Sequence, residues 1–237
     1  MSFADSARDL FFPSRCLHCG LSLGVAGRLR LCSDCLSLVA PLVHPLCVCC
    51  GTPFSGGTDH LCGECLNSRF AFDRARSLFY HREPVSSLIV NLKFNCSLTG
   101  LTTLASLCSR TLPAASLNRP DIILPVPLHV SRLRERGFNQ SLLLAKACLP
   151  PEWRKYIRCG LLKRIQATAP QTSLSGRARR TNLARAFSLA DGQQVTGRRI
   201  LLFDDVFTTG ATLHECAKVL IRAGAAEVEA LTLTRAV

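Results

Sequence analysis

Between Ile200 and Thr212 the chain reads ILLFDDVFTTGAT, and that order of residues leaves few folds open. Four apolar residues, Ile200–Phe203, make a short buried strand. Asp204 and Asp205 stand at its C-terminal end. A small, hydroxyl-rich loop follows, Thr208-Thr209-Gly210-Ala211-Thr212, and an apolar-periodic helix starts near Leu213. A strand that feeds a helix through a tight loop is a ready anion site. Its backbone N–H groups point outward and the helix dipole favours negative charge. The threonine hydroxyls add donors. Two carboxylates would repel a bare phosphate. They suit a ligand with a phosphate at one end and sugar hydroxyls or a hydrated Mg²⁺ close by.

The rest of the chain supplies further βα units. Ser77–His81 reads as a strand. Pro84 suits the first turn of a helix that carries Val85, Leu88, Ile89 and Leu92 on one face. A second helix is expected over Leu101–Leu112, with a break at Asn118-Arg119-Pro120. Ile122–Val126 is a buried strand ending in Pro127-Leu128-His129. The RLRERGFNQ stretch (Arg132–Gln140) leads into a helix through Leu142, Leu143, Leu144 and Ala147. Leu161–Leu162 could form a brief strand, Lys163–Arg180 reads as a mobile basic loop, and order resumes at Asn182–Phe187. A helix over Leu213–Ala223 and a strand at Val228–Thr234 close the pattern. Strands alternating with helices argue for an α/β domain with a mostly parallel sheet. In such sheets ligands bind beyond the carboxyl ends of the strands, where both singled-out loops lie.

The stretch up to Cys65 is of another kind. Four C-x-x-C pairs, Cys16/Cys19, Cys32/Cys35, Cys47/Cys50 and Cys62/Cys65, sit among turn glycines with little core. Two such pairs can wrap one tetrahedral Zn²⁺, so the expectation is a metal-nucleated module with one or two structural zinc ions. Sequential pairing is the default, and interleaved pairing stays open. Four disulfides would need an oxidising compartment. Redox dithiols and an iron–sulfur cluster are remoter readings. Cys49, His18, His44 and His60 lie nearby and are read as bystanders.

Charge singles out the middle of the chain. The formal net charge is +13, and residues 128–200 alone carry +12. Two filled zinc sites would lower the total to about +9. A basic block beside an anion motif suits a polyphosphate, and it suits nucleic acid equally. Aromatic residues are sparse within that block, so no stacking platform is evident there. No apolar run reaches the roughly 18 residues of a membrane span. Asp5, Arg8 and Asp9 interrupt what would be a signal peptide. A cytoplasmic location follows as the expectation, with the inner face of the membrane reached only through partners.

The ILLFDDVFTTGAT stretch resembles the 5-phosphoribosyl-1-diphosphate (PRPP) motif of type I phosphoribosyltransferases along its whole length. The chain as a whole resembles the ComF/GntX family. The match rests on the cysteine pairs, on PVPLH…R…RGFNQ (Pro125–Gln140), and on Arg164, Gln171, Leu174, Arg180, Asn182 and Phe187 ahead of the motif. The resemblance implies a double zinc-ribbon or knuckle module over residues 1–68 and a phosphoribosyltransferase-like domain over 69–237. It implies PRPP with Mg²⁺ as ligand. Asp204 and Asp205 would be the catalytic pair and would hold the ribose hydroxyls, while Thr208, Thr209, Gly210, Ala211 and Thr212 cradle the 5′-phosphate. Pro127, Leu128 and His129 would be the pyrophosphate loop, with Arg136 and Arg164 as diphosphate contacts and Lys163–Arg180 as the closing loop. Where the family usually has a charged or glycine-containing turn after a Lys-aromatic pair, Lys93-Phe94 is followed here by Asn95-Cys96-Ser97, so no role is carried over to Lys93.

The function implied is uptake or utilisation of external DNA, including natural transformation, around a PRPP site. Two alternatives stand beside it. One is a genuine phosphoribosyltransferase acting on an unidentified acceptor. The other is a zinc-knuckle docking module with a vestigial PRPP site. The partners implied are PRPP, single-stranded DNA, and a competence helicase or another protein of the uptake machinery. Fold alone does not decide among them.

Overall fold

The computed structural model describes residues 14–24, 27–95, 97–112, 117–166, 186–190 and 195–237. Its centre is a sheet of four parallel strands in the order β1-β6-β5-β2: β1 is Arg74–Tyr80, β2 Ile122–Pro125, β5 Arg199–Phe207 and β6 Glu227–Arg235. Parallel strands buried on both faces need apolar residues on both sides, and the strands comply. Leu201 and Phe203 of β5, with Leu231 and Leu233 of β6, face one core. Ile200 and Leu202, with Val228 and Ala230, face the other.

The first core is closed by three helices, Val85–Phe94 (α3), Leu101–Thr111 (α4) and Gln140–Cys148 (α6). Leu88, Ile89 and Leu92 fill it from α3, and Leu144 and Ala145 from α6. The second core is closed by Ala211–Arg222 (α7) and by a two-stranded antiparallel hairpin of Leu162–Arg164 (β3) and Phe187–Leu189 (β4). Along α7, Leu213, Cys216, Ala217 and Leu220 are buried, the i, i+3, i+4, i+7 stripe of an amphipathic helix.

The N-terminal cysteine region carries two one-turn helices, Ser33–Ser37 (α1) and Gly63–Asn67 (α2), each entered directly from a C-x-x-C pair. It docks on the open edge of β1. Leu42 N donates to Leu78 O at 2.9 Å, Tyr80 N to Ala40 O at 3.0 Å, and Ala75 N to Cys49 O at 2.7 Å. Cys16, Cys32 and Cys35 pack into the first core, and Cys47, Cys50 and Cys65 into the second. The module therefore straddles the sheet edge and shields it from pairing with other chains.

Several boundaries differ from the sequence expectation. β5 does not stop at Phe203. It stays in register with β6 through Asp204↔Thr232 and Phe207↔Arg235, so the acid pair lies inside the strand. β1 begins at Arg74 rather than Ser77 because β6 pairs it from Glu229 onward. Val130–Arg136 forms a helix (α5) that apolar periodicity did not show, since none of its residues is buried. Lys163 and Arg164 belong to β3. The rest of the expected basic loop, with Gln171, Leu174 and Arg180, falls almost wholly outside the described residues, as does Asn182 beyond it.

Candidate functional site

The C-terminal ends of β2 and β5 open into a cleft of about 540 Å³. Asp204, Asp205, Thr208, Gly210, Ala211 and Thr212 line it from one side. Pro127, Leu128, His129, Arg136 and Arg164 line it from others. Segments far apart in the chain thus converge on one concave surface. Of the sequence-predicted binding residues only Thr209, within the same loop, does not line it.

The motif loop is shaped from beneath. Gly210 takes a left-handed conformation, φ 70°, at the N-terminus of α7. A Cβ there would stand 2.6 Å from Phe207 Cζ and 2.9 Å from Phe70 Cε1, so only glycine fits. Phe70 stacks on Phe72, and both meet Phe207 edge-on. His214, from the first turn of α7, accepts a hydrogen bond at Nδ1 from Ala71 N at 2.9 Å. The helix N-terminus and its free N–H groups are thereby aimed into the cleft.

The loop after β2 is held by its own sequence. His129 caps α5, its Nδ1 accepting from Ser131 N at 3.3 Å, and its backbone bridges to Arg164 of β3. Gly137 ends α5 with φ 76°. Asn139 then caps α6, accepting from Ser141 N at 2.9 Å and Leu142 N at 3.3 Å. Its Nδ2 donates to Val126 O at 3.0 Å. One side chain thus ties a helix start to the strand end that precedes Pro127. Arg136 Nη1 donates to Gln140 Oε1 at 3.0 Å, and its guanidinium lies 5.3 Å over the ring of Phe94. Arg164 sits over Phe187 at 5.6 Å, and burial lowers its pKa.

The acid pair is braced by two residues that sequence reading did not assign. Ser141 Oγ donates to Asp204 Oδ1 at 2.8 Å. Lys93 Nζ lies 2.8 Å from Asp205 Oδ2. That contact is an ion pair without hydrogen-bond alignment, and Asp205 Oδ2 is otherwise a buried acceptor with no donor. Burial, and next the Asp205 carboxylate, push Asp204 up to about 7, against the Ser141 hydroxyl and the Lys93 ammonium. Two adjacent carboxylates, one near neutrality and one short of donors, are a pair arranged to receive hydroxyl donors or a hydrated cation. His81 also lines the cleft, held by Thr234 Oγ1 at 2.9 Å; burial and then Lys93 lower its pKa. The signals that could have found these residues were slight: Ser141 directly follows RGFNQ, and Lys93 precedes the one aromatic residue of its helix.

The eight cysteines gather as two sets, Cys16, Cys19, Cys32, Cys35 and Cys47, Cys50, Cys62, Cys65, with the sulfurs of each set within 4.8 Å of one another. The pairing is sequential. Cys19 Sγ to Cys32 Sγ and Cys50 Sγ to Cys62 Sγ are each 3.7 Å. A tetrahedron with Zn–S bonds of about 2.3 Å has edges of about 3.8 Å, so the sets fit zinc. Backbone N–H groups turn toward the sulfurs: Cys32 N to Cys16 Sγ at 3.4 Å and Cys62 N to Cys47 Sγ at 3.3 Å. Burial raises the pKa of Cys16 and Cys47, but these N–H donors outweigh it and hold both near about 6. Burial and the neighbouring thiols drive Cys35 and Cys65 strongly upward. Without a cation each set accommodates few thiolates; a Zn²⁺ lets all four ionise. His18, His44 and His60 lie outside the sets, engaged with Glu83, Asp59 and Phe54 respectively.

Comparison with known proteins agrees with the two cysteine sets. Residues 7–66 match the double zinc ribbon domain. The chain is 36% identical over 232 residues to competence protein F of Haemophilus influenzae, covering 95% of this chain and 99% of that protein. It is 38% identical over 237 residues to the DNA utilization protein YhgH of Escherichia coli O157:H7, covering 95% and 99%. It is 27% identical over 213 residues to competence protein ComFC of Bacillus subtilis, covering 87% and 84%.

Proposed function

The chain belongs to the competence protein F (ComF/GntX) family, and from that premise we propose that it serves the uptake or utilisation of external DNA through a cleft that binds Mg²⁺ and PRPP. The observation that carries the reading is the convergence in one cleft of the Asp204–Asp205 pair, the Thr208–Thr212 loop at the N-terminus of α7, and the 127–129 loop. The loop N–H groups suit a 5′-phosphate. The carboxylates suit the two ribose hydroxyls, and the cleft basic residues Arg136 and Arg164 suit a diphosphate. Mg²⁺ would neutralise the diphosphate. Lys93 would keep the acid pair from repelling the ligand.

The family relation supports the DNA-handling half of the reading, through relatives named for competence and for DNA utilization. The net charge of +13 supports single-stranded DNA as a partner. Among the described residues no helix is long and apolar enough to cross a membrane, so contact with a competence helicase or another uptake protein would run through the chain's surface.

Calorimetric titration of PRPP with Mg²⁺ into the wild type and into the Asp204→Asn/Asp205→Asn variant tests the site. Binding by the wild type with a loss of at least about 100-fold in the variant is expected, since two charge-assisted contacts go at about 1.5–3 kcal/mol each. No binding to a folded, zinc-loaded wild type would remove PRPP from the function.

A further inference from the structure

The ribose-phosphate reading uses one end of the cleft. The other end is walled by α3, whose buried face is Val85, Leu88, Ile89 and Leu92. One helical turn apart on its outer face stand Val90 and Phe94, both cleft-lining and 43% and 65% exposed. Phe94 closes the helix immediately after Lys93, so the ring stands next to the residue that reaches Asp205. Among the described residues Phe94 belongs to neither hydrophobic core. Over it lies the Arg136 guanidinium, held in place by Gln140. Arg132, one turn before Arg136 on α5, lines the same wall and meets Glu135 at 3.1 Å.

Aromatic residues are sparse in the basic block, and the half-covered ring beside its guanidinium groups comes from α3, well upstream in the chain. We propose that Phe94, with Arg136 laid over it, is a stacking platform for an unpaired base of single-stranded DNA at the mouth of the cleft. The flanking phosphates meet Arg132 and Arg136. Base–aromatic stacking tolerates any sequence because every base has a π-face, and arginine adds charge to both base and backbone contacts. A duplex cannot use such a site, because its bases are already stacked. The platform would bring a strand to within reach of the acid pair, which couples DNA handling to occupancy of the cleft. This placement rests on the DNA-handling part of the reading above and is independent of whether PRPP binds.

The test is fluorescence anisotropy of a short oligothymidylate and of an abasic strand of equal length. Wild type, Phe94→Ala and Phe94→Trp are compared, each also titrated with PRPP and Mg²⁺. The expected result is a loss of roughly 10-fold in oligothymidylate affinity for Phe94→Ala and recovery in Phe94→Trp. Abasic-strand affinity should stay within about 2-fold of wild type, since a strand without a base has nothing to stack on the ring. Equal oligothymidylate affinity in wild type and Phe94→Ala would overturn the platform, as would an equal loss for the abasic strand or a wild type that binds no strand. A Phe94-dependent strand affinity in a protein that ignores PRPP would leave the platform standing and overturn the PRPP site instead.

Discussion

Asp204 carries its proton up to about pH 7 because burial and the Asp205 carboxylate disfavour a second charge. Its folded pKa lies above the ordinary carboxylate value. In the free protein its effect on stability is therefore a loss as pH rises from about 4 toward 7, and constancy beyond. Hydroxyl donors or a hydrated cation favour the ionised form, so PRPP with Mg²⁺ should expel that proton. At pH 6.5 the binding enthalpy is expected to vary with the ionisation enthalpy of the buffer in wild type and not in Asp204→Asn. Absence of such a difference would place the proton elsewhere. Both acids were legible in the sequence because they adjoin each other and the loop. Ser141 and Lys93 were not, because they come from distant segments of the chain, and only the packing of α6 and α3 on the sheet brings them in.

Among elements, the start of α6 ties the loop after β2 to the sheet. Asn139 satisfies two of the orphan N–H groups of that helix and also holds Val126 O. Asn139→Ala should cost about 1–2 kcal/mol in denaturant unfolding, the usual value of a lost cap. Asn139→Ser should recover part of it, since serine keeps the cap but cannot reach Val126. A cost near zero would show that the loop after β2 is held by other contacts. Apolar runs and one-sided apolar periodicity made β2, β6, α3 and α4 readable in the sequence. The helix α5 escaped because the signal used to find helices is a buried stripe, and α5 buries nothing. The extension of β5 through both acids escaped for a related reason. Its cause is hydrogen bonding to β6, which local composition does not encode.

On the scale of the whole molecule, the zinc ribbons are a wall of the fold. Arg235 at the end of β6 donates to Cys50 O at 2.8 Å and to Thr52 Oγ1 at 2.5 Å, and its guanidinium lies 4.2 Å over Phe207. Arg76 of β1 donates to Cys47 O and Val48 O at 3.3 Å. Both buried cations face the second cysteine set, which holds a net charge of −2 once four thiolates bind Zn²⁺. Stripping the metal with a chelator should release two equivalents of zinc and lower the main unfolding transition by on the order of 10 °C. A calorimetric scan with an unmoved main transition would make the ribbons an independent appendage. The cysteine sets were plain in the sequence, but the edge they cover was not, since docking depends on scattered backbone groups. The strand order has a further bearing on how the chain is made. β6 follows β1, β2 and β5 in the chain, yet it lies between β1 and β5. Until the ribosome has delivered it, the only described backbone partners of β1 outside its own segment are those of the ribbons. A nascent chain thus has β1 chaperoned along one edge by the ribbon module until synthesis of β6 supplies the other.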